Sequence, residues 1–154
     1  MQSVPGVWDA LYSALQTLFP APAYVSAGDP GEYQPDLIIA MMGITSPTTR
    51  PTMGTNRSRE EIADLTLVIS AYVAGGAEAQ APAIDAAYVA YGQLVAYLRA
   101  TPNEKLGGSC YDSWVSFGSM VPSTSWEHVE GLADPVPAGR IADLTCTVTA
   151  KVRY

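Results

Sequence analysis

Apolar residues recur along the chain with two different spacings, and the first of these predicts helices. Near the N-terminus Val7, Leu11 and Leu15 are spaced as on one face of an amphipathic helix. Ser3 is suited to begin this helix because its hydroxyl can accept a hydrogen bond from a free backbone N–H. Pro20 would end it, since proline cannot continue a helix. The first element is therefore predicted to be a helix between these two residues.

A second helix is predicted between Pro82, which fits a first helical turn, and Pro102, which would stop the helix. Gly92 lies inside it and costs about 1 kcal/mol relative to alanine, so we expect a close packing partner at that position. The side predicted to be buried carries the large apolar residues of the segment: Ile84, Ala87, Tyr88, Tyr91, Leu94, Val95 and Leu98.

The second spacing is strict alternation, which is typical of half-buried strands. It extends over residues 62–73 and again from about 140 to the end, and shorter extended segments are predicted at 24–26, 37–42 and 114–120. One face of the two long strands is apolar: Ala63, Leu65, Leu67, Ile69, Ala71 and Val73 in the first, and Ala142, Leu144, Cys146, Val148, Ala150 and Val152 in the second.

The two alternating segments also resemble each other. IADLTLVISAYV at 62–73 and IADLTCTVTAKV at 141–152 are identical at seven of twelve positions, at an offset of 79 residues. The helices correspond more weakly, with DALY at 9–12 and DAAY at 85–88, at an offset of 76. This suggests a helix–strand–arm–strand pseudo-repeat in which a connection has changed length, although chance resemblance between two amphipathic strands remains an alternative.

Two long stretches lack either spacing, namely 44–59, rich in Thr, Pro and Arg, and 121–139, which holds three prolines. We expect both to be irregular connections, and long connections of this kind are usually functional or disordered. The sequence as a whole predicts an α+β fold, with two helices packed on one face of an antiparallel or mixed sheet. A length of 154 residues predicts a single domain, 1–154.

Composition narrows the classes of function. Apolar residues make up 48% of the chain and charged residues only 15%, which indicates a globular protein with a wide neutral surface. The net charge is -7 and the first 49 residues contain no Lys or Arg, so binding of nucleic acid by charge neutralisation is not expected. The sequence shows no signal peptide or apolar run of membrane-spanning length. The two cysteines form no CxxC pair, and a protein made in a reducing cytosol is expected.

The residues that could carry catalysis are few. Asp64 and Asp143 occupy equivalent positions of the repeated phrase and could meet as a pair that shares a proton, although each also suits the solvated face of a strand. His128 is the only histidine, so a Ser–His–Asp triad would depend on it alone. Glu127, His128 and Glu130 could hold a cation, but no second ligand cluster accompanies them. We therefore predict no catalytic residue, no cofactor and no metal.

Interface residues are the remaining candidates. Arg50, Arg57 and Arg59 form a basic cluster that could either be solvated or contact another protein, since arginine is enriched at interfaces. Trp126 is set in a long connection, where a large aromatic side chain is suited to anchor a partner. His128 lies two residues further on and is predicted to be a surface or interface residue.

The order of these segments resembles a known family. An N-terminal amphipathic helix (WDALYSAL, 8–15) is followed by AYVSAGDP at 23–30 and by the apolar strand DLIIAMMG at 36–43. A strand flanked by Arg and Glu, a Gly-Gly turn, an Ala-rich helix and a last strand ending in Lys-Val-Arg-Tyr follow. Together these features resemble the tail terminator proteins of long-tailed bacteriophages, over nearly the whole chain.

The resemblance implies a non-enzymatic, probably six-membered ring that is made in the host cytoplasm and built into the neck of the virion. Such a ring caps the tube of the major tail protein, ends its polymerisation and forms the surface on which the head docks. Double-stranded DNA would pass through the channel without specific binding. Three alternatives stay open: a head-closure (stopper) or other head–tail connector protein, a small hydrolase, and a ligand-binding module.

Overall fold

The structure is a computed structural model that describes residues 2–31, 35–51 and 59–153, with only the backbone described at 46–51 and 59. Its two α-helices are α1 (Val4–Leu18) and α2 (Gln80–Arg99), and short 3-10 turns span Ala77–Ala79 and Asn103–Gly108. Its strands are β1 (Tyr24–Ala27), β2 (Leu37–Pro51), β3 (Arg59–Ala74), β4 (Asp112–Glu127) and β5 (Val136–Arg153).

The five strands form one mixed sheet in the order β1–β2–β3–β5–β4. The short β1 pairs parallel with β2, and every other neighbouring pair is antiparallel. Helix α1 contacts β1, β2 and β3, while α2 contacts β3, β5 and β4, and residues of both helices belong to one hydrophobic core. The predicted α+β class, with both helices on one face of the sheet, is confirmed.

Strand alternation determines which face of the sheet meets the helices. The residues predicted to point inward on β3, from Ala63 to Ala71, are fully buried, and so are those from Ala142 to Val152 on β5. Between them, positions such as Thr66 and Thr147 lie on the opposite, helix-free face, where polar side chains need no internal partner. Cys146 lies in the buried set, as its position in the alternation predicts.

Helix α1 begins and ends as its sequence predicts. The Ser3 side chain accepts a hydrogen bond from the backbone N–H of Gly6 at 3.1 Å, which satisfies one of the free donors of the first turn. The helix stops at Leu18, and the N–H of Phe19 still donates to the carbonyl of Leu15. Val7, Leu11 and Leu15 are fully buried against the sheet.

The buried face of α2 differs from the prediction. It consists of Ala83, Ala87, Ala90, Leu94 and Leu98, whereas Tyr88 is exposed and stacks on Phe117 of β4. Alanine at three of the five buried positions brings the helix close to the sheet, and the larger side chains then lie along its flanks. The expected packing partner of Gly92 is also wrong, because no atom outside the helix lies within 4 Å of a Cβ placed there.

The predicted pseudo-repeat corresponds to a symmetric strand register. Leu67 of β3 pairs with Cys146 of β5, and these are the equivalent residues of the two copies at an offset of 79. The outer strands agree as well, since β2 has a register shift after Met41 and β4 has one after Phe117, at the helix offset of 76. The offset therefore changes between the outer and the inner strand of each half, where the hairpin turn lies.

The two predicted irregular connections are, in their described parts, strands. Residues 44–51 continue β2 and 59–61 begin β3, while 121–127 continue β4 and 136–139 begin β5. These segments show no apolar alternation because, where side chains are described, they are largely exposed on both faces. Cross-strand pairing holds them together instead, as in the pair Thr124↔Arg140.

Two glycine substitutions test this packing in opposite directions. Gly92→Ala should raise the free energy of unfolding by about 1 kcal/mol, because the helix gains a better helix former and the added methyl meets open space. Gly139→Ala should lower it by about 1–3 kcal/mol, because the new Cβ would lie 2.6 Å from the Val73 carbonyl oxygen. Urea unfolding of both variants measures the two changes, and an unchanged Gly139→Ala would contradict the close approach.

Candidate functional site

The most prominent exposed feature is the end of the β4–β5 hairpin, residues 125–138, which we call the arm. Gly139 pairs with Ala74, the last residue of β3, so β5 has no neighbour other than β4 beyond this point. The last ladder pairs of the hairpin are Trp126↔Pro137 and Glu127↔Val136. The arm is therefore a two-stranded ribbon that extends past the rest of the sheet.

The base of the arm is held by contacts with the turn after β3. The carbonyl of Ala138 accepts hydrogen bonds from the Gly75 N–H at 3.3 Å and the Tyr72 hydroxyl at 3.4 Å. Arg140 donates from Nε to the Gly76 carbonyl at 3.4 Å, and its Nη1 donates to the Thr124 hydroxyl. These bonds tie both strands of the hairpin to the sheet and so determine the direction in which the arm leaves it.

The surface of the arm combines apolar and acidic side chains. Trp126 is 60% exposed, Leu132 50% and Val129 37%, and a 3.1 Å bond from the Leu132 N–H to the Val129 carbonyl closes the turn. The charged residues are Glu127, Glu130 and Asp134, which are exposed, and residues 121–139 contain no Lys or Arg. Large exposed apolar side chains rimmed by polar ones are typical of a protein–protein contact.

The opposite end of the sheet, which we call the basic end, holds cations placed over aromatic rings. Lys151 Nζ lies 5.5 Å from the centroid of the Trp114 ring, and the Arg153 guanidinium lies 4.6 Å from that of Tyr111. Arg99 and the partly exposed Trp114 line a groove of about 240 Å³ between α2 and β4. Lys105 is exposed on the turn just before β4. Cation–π contacts of this kind hold the charges in fixed positions.

Glu60 is the carboxylate at the centre of the basic end. Its Oε2 lies 3.7 Å from Arg153 Nη2. The hydrogen bond from Tyr111, together with the nearby Lys151 and Arg153, holds the pKa of Glu60 below its usual value. Burial, with the same hydrogen bond, raises the pKa of Tyr111. Glu60 is therefore ionised at neutral pH and already paired within its own chain.

The candidate interface residues lie at both ends of the molecule. Trp126 belongs to the arm, and His128 follows directly after β4 and is exposed. Arg50 and Arg59 lie in β2 and β3 at the basic end, where the structure describes their backbone only, and Arg57 lies outside the described residues. Because β5 spans Val136–Arg153, the two groups are separated by about 55 Å of strand. They do not form one site within a chain.

The strand register also separates the two repeated aspartates. Asp64 pairs with Thr149, whose hydroxyl donates to Asp64 Oδ1 at 2.8 Å, while Asp143 pairs with Ser70. Asp64 and Ser70 are six residues apart on β3, which is about 20 Å of strand. The two carboxylates therefore cannot share a proton. The antiparallel pairing that makes the two copies equivalent also places their aspartates far apart.

The remaining candidate chemistry is limited. Within the described residues, no group of three or more His, Cys, Asp and Glu side chains could hold a metal ion. Burial raises the pKa of the Cys146 thiol to about 12, and burial likewise raises that of Cys110. Both thiols are thus kept protonated and away from solvent. In the described part of the chain no helix has the length and hydropathy to cross a membrane.

Sequence reasoning did not single out Trp114, Lys151 or Arg153. The alternation of β5 places Lys151 and Arg153 on its polar face, but their position over two aromatic rings depends on the pairing of β5 with β4 and β3. The exposed Leu132 and Val129 were also missed, because two apolar residues in a polar segment form no periodic signal.

Comparison with known proteins gives no relative for this chain. The sequence matches no protein-family model, and it is significantly similar to no curated protein.

The exposure of the arm predicts that its aromatic anchor does not stabilise the isolated chain. Trp126→Ala should change the free energy of unfolding by less than about 0.5 kcal/mol, because the side chain is largely exposed. Leu144→Ala, in the middle of β5 and fully buried, should cost about 2–5 kcal/mol. Chemical denaturation at low protein concentration compares the two, and a large loss for Trp126→Ala would mean that the arm packs on its own chain.

Proposed function

We propose that this chain is a structural subunit of a bacteriophage tail, the tail terminator, which forms a ring on the end of the tail tube. The observation that carries the proposal is that the subunit has two unlike ends, the protruding arm and the basic end, about 55 Å apart along β5. A ring requires each subunit to meet its two neighbours through two different surfaces. The resemblance of the segment order to tail terminators supplies the biological setting.

Charge supports the same assignment. A ring around a DNA channel must let the duplex slide past without holding it, and a net charge of -7 per subunit disfavours binding of phosphate. The helix-free face of the sheet is rich in neutral hydroxyl groups, among them Thr66, Thr147 and Thr149. Such a face offers DNA neither strong attraction nor an apolar surface.

In this proposal the two candidate interface groups have separate roles. Trp126 and His128 lie on or beside the arm and are suited to contact a neighbour, since large exposed aromatic residues are common anchors of interfaces. The hairpin end that carries Arg50, Arg57 and Arg59 is the second contact, either with another subunit or with the tail tube. The ring is proposed to have six members and to present its other rim to the head–tail connector.

The test is to add the purified chain to the major tail protein encoded in the same genome while that protein polymerises. We expect tubes of limited length, each with a ring at one end, because a bound cap blocks further addition of tube subunits. Electron microscopy measures the tube lengths, and native mass spectrometry measures whether the ring contains six chains.

A matched pair of variants makes the test specific. Trp126→Ala should reduce ring formation, whereas Val89→Ala, which removes a similarly exposed apolar side chain from α2, should leave it unchanged. Tubes of unlimited length in the presence of the intact chain would contradict a terminator. Binding to the portal adaptor instead of the tube would favour the head-closure protein.

A further inference from the structure

We propose that the arm of one copy docks on the basic end of a second copy, against Trp114, Lys151 and Arg153. This inference rests on the proposed ring and specifies the contact between neighbouring subunits. Arm and basic end leave the sheet in opposite directions, about 55 Å apart along β5, so they cannot meet within one chain. Copies arranged head to tail would join them at every interface.

The arm is a structure that calls for a partner. A two-stranded ribbon without a third strand or a helix behind it is only marginally stable in water. The arm is such a ribbon, yet it carries three large apolar side chains with 37–60% of their surface exposed: Trp126, Val129 and Leu132. Docking on another protein would cover these side chains and give the ribbon the support that its own sheet does not provide.

The charges on the two surfaces are complementary. Residues 121–139 carry Glu127, Glu130 and Asp134 and no Lys or Arg, so the arm contributes three negative charges. Seven of the eight Lys and Arg residues belong to segments at the basic end, against the four carboxylates Glu60, Glu61, Glu104 and Asp112, which leaves three positive charges there. Opposite charge of this size speeds association and fixes the orientation of docking.

The basic end is also organised to receive an arm. Lys151 and Arg153 are held over the rings of Trp114 and Tyr111, which reduces the freedom that these long side chains would lose on binding. Trp114 is partly exposed beside a groove that Arg99 also lines, so an apolar surface lies next to the cations. An arm with both apolar and acidic side chains matches this combination.

A charge-reversal exchange tests the contact. One variant carries Glu127→Lys and Glu130→Lys, and the other carries Lys151→Glu and Arg153→Glu. Each alone should associate more weakly than the unmodified chain by roughly ten-fold or more, because like charges then face each other. An equimolar mixture should recover association in rings that contain the two variants in equal numbers, since every contact again joins opposite charges. Sedimentation velocity and native mass spectrometry measure both results.

Two further variants keep the exchange interpretable. Asp9→Lys with Asp85→Lys makes the same change of charge at exposed helix positions outside both surfaces, and it should leave association intact. Arg99→Glu with Lys105→Glu repeats the reversal at the basic end without touching the contacts of Arg153 with Glu60 and Tyr111, in case their loss unfolds the chain.

The outcomes separate this contact from the proposed function. Association that survives reversal of the arm, or a mixture that fails to recover it, overturns the docking even where rings still cap tail tubes. Recovery in the mixture supports the docking, even where the unmodified chain fails to limit tube length and the tail function falls.

Discussion

The antiparallel pairing of β3 with β5 is the interaction on which the rest of the structure depends. It runs through fifteen residue pairs, from Glu60↔Arg153 to Ala74↔Gly139, and it places two apolar faces side by side beneath both helices. The same pairing sends the chain out of the sheet at opposite ends, because each strand is joined to its hairpin partner at a different end. Core and candidate contact surfaces thus follow from one register.

The sequence predicts the parts of the fold that burial determines. Alternation identified β3 and β5 because every second side chain must enter the core, and the caps of α1 followed from Ser3 and Pro20. The outer halves of the hairpins were not predictable in this way. There pairing satisfies backbone groups while side chains face water, so Thr, Ser and Pro fill positions that show no period. The buried face of α2 was misassigned because alanine, chosen for close approach, has a weaker apolar signal than tyrosine.

The candidate site was predictable in composition and not in geometry. Trp126 could be recognised as a large aromatic residue outside the periodic segments, and the arginines as a cluster. That these lie at opposite ends, and that Asp64 and Asp143 lie too far apart to interact, depends on which strands are neighbours. Single-sequence patterns give the face of a residue but not its partner across the sheet, and it is the partner that decides whether two groups meet.

The symmetric register has a consequence for how such a chain can change. Two halves built on equivalent strands, with bulges after Met41 and Phe117, provide two similar scaffolds that have diverged only where they leave the sheet. Substitutions at positions so far apart generally act additively, since they share no contacts. Each end can therefore acquire a new partner without disturbing the other, and a lineage could keep its self-assembly while exchanging the structure on which it assembles.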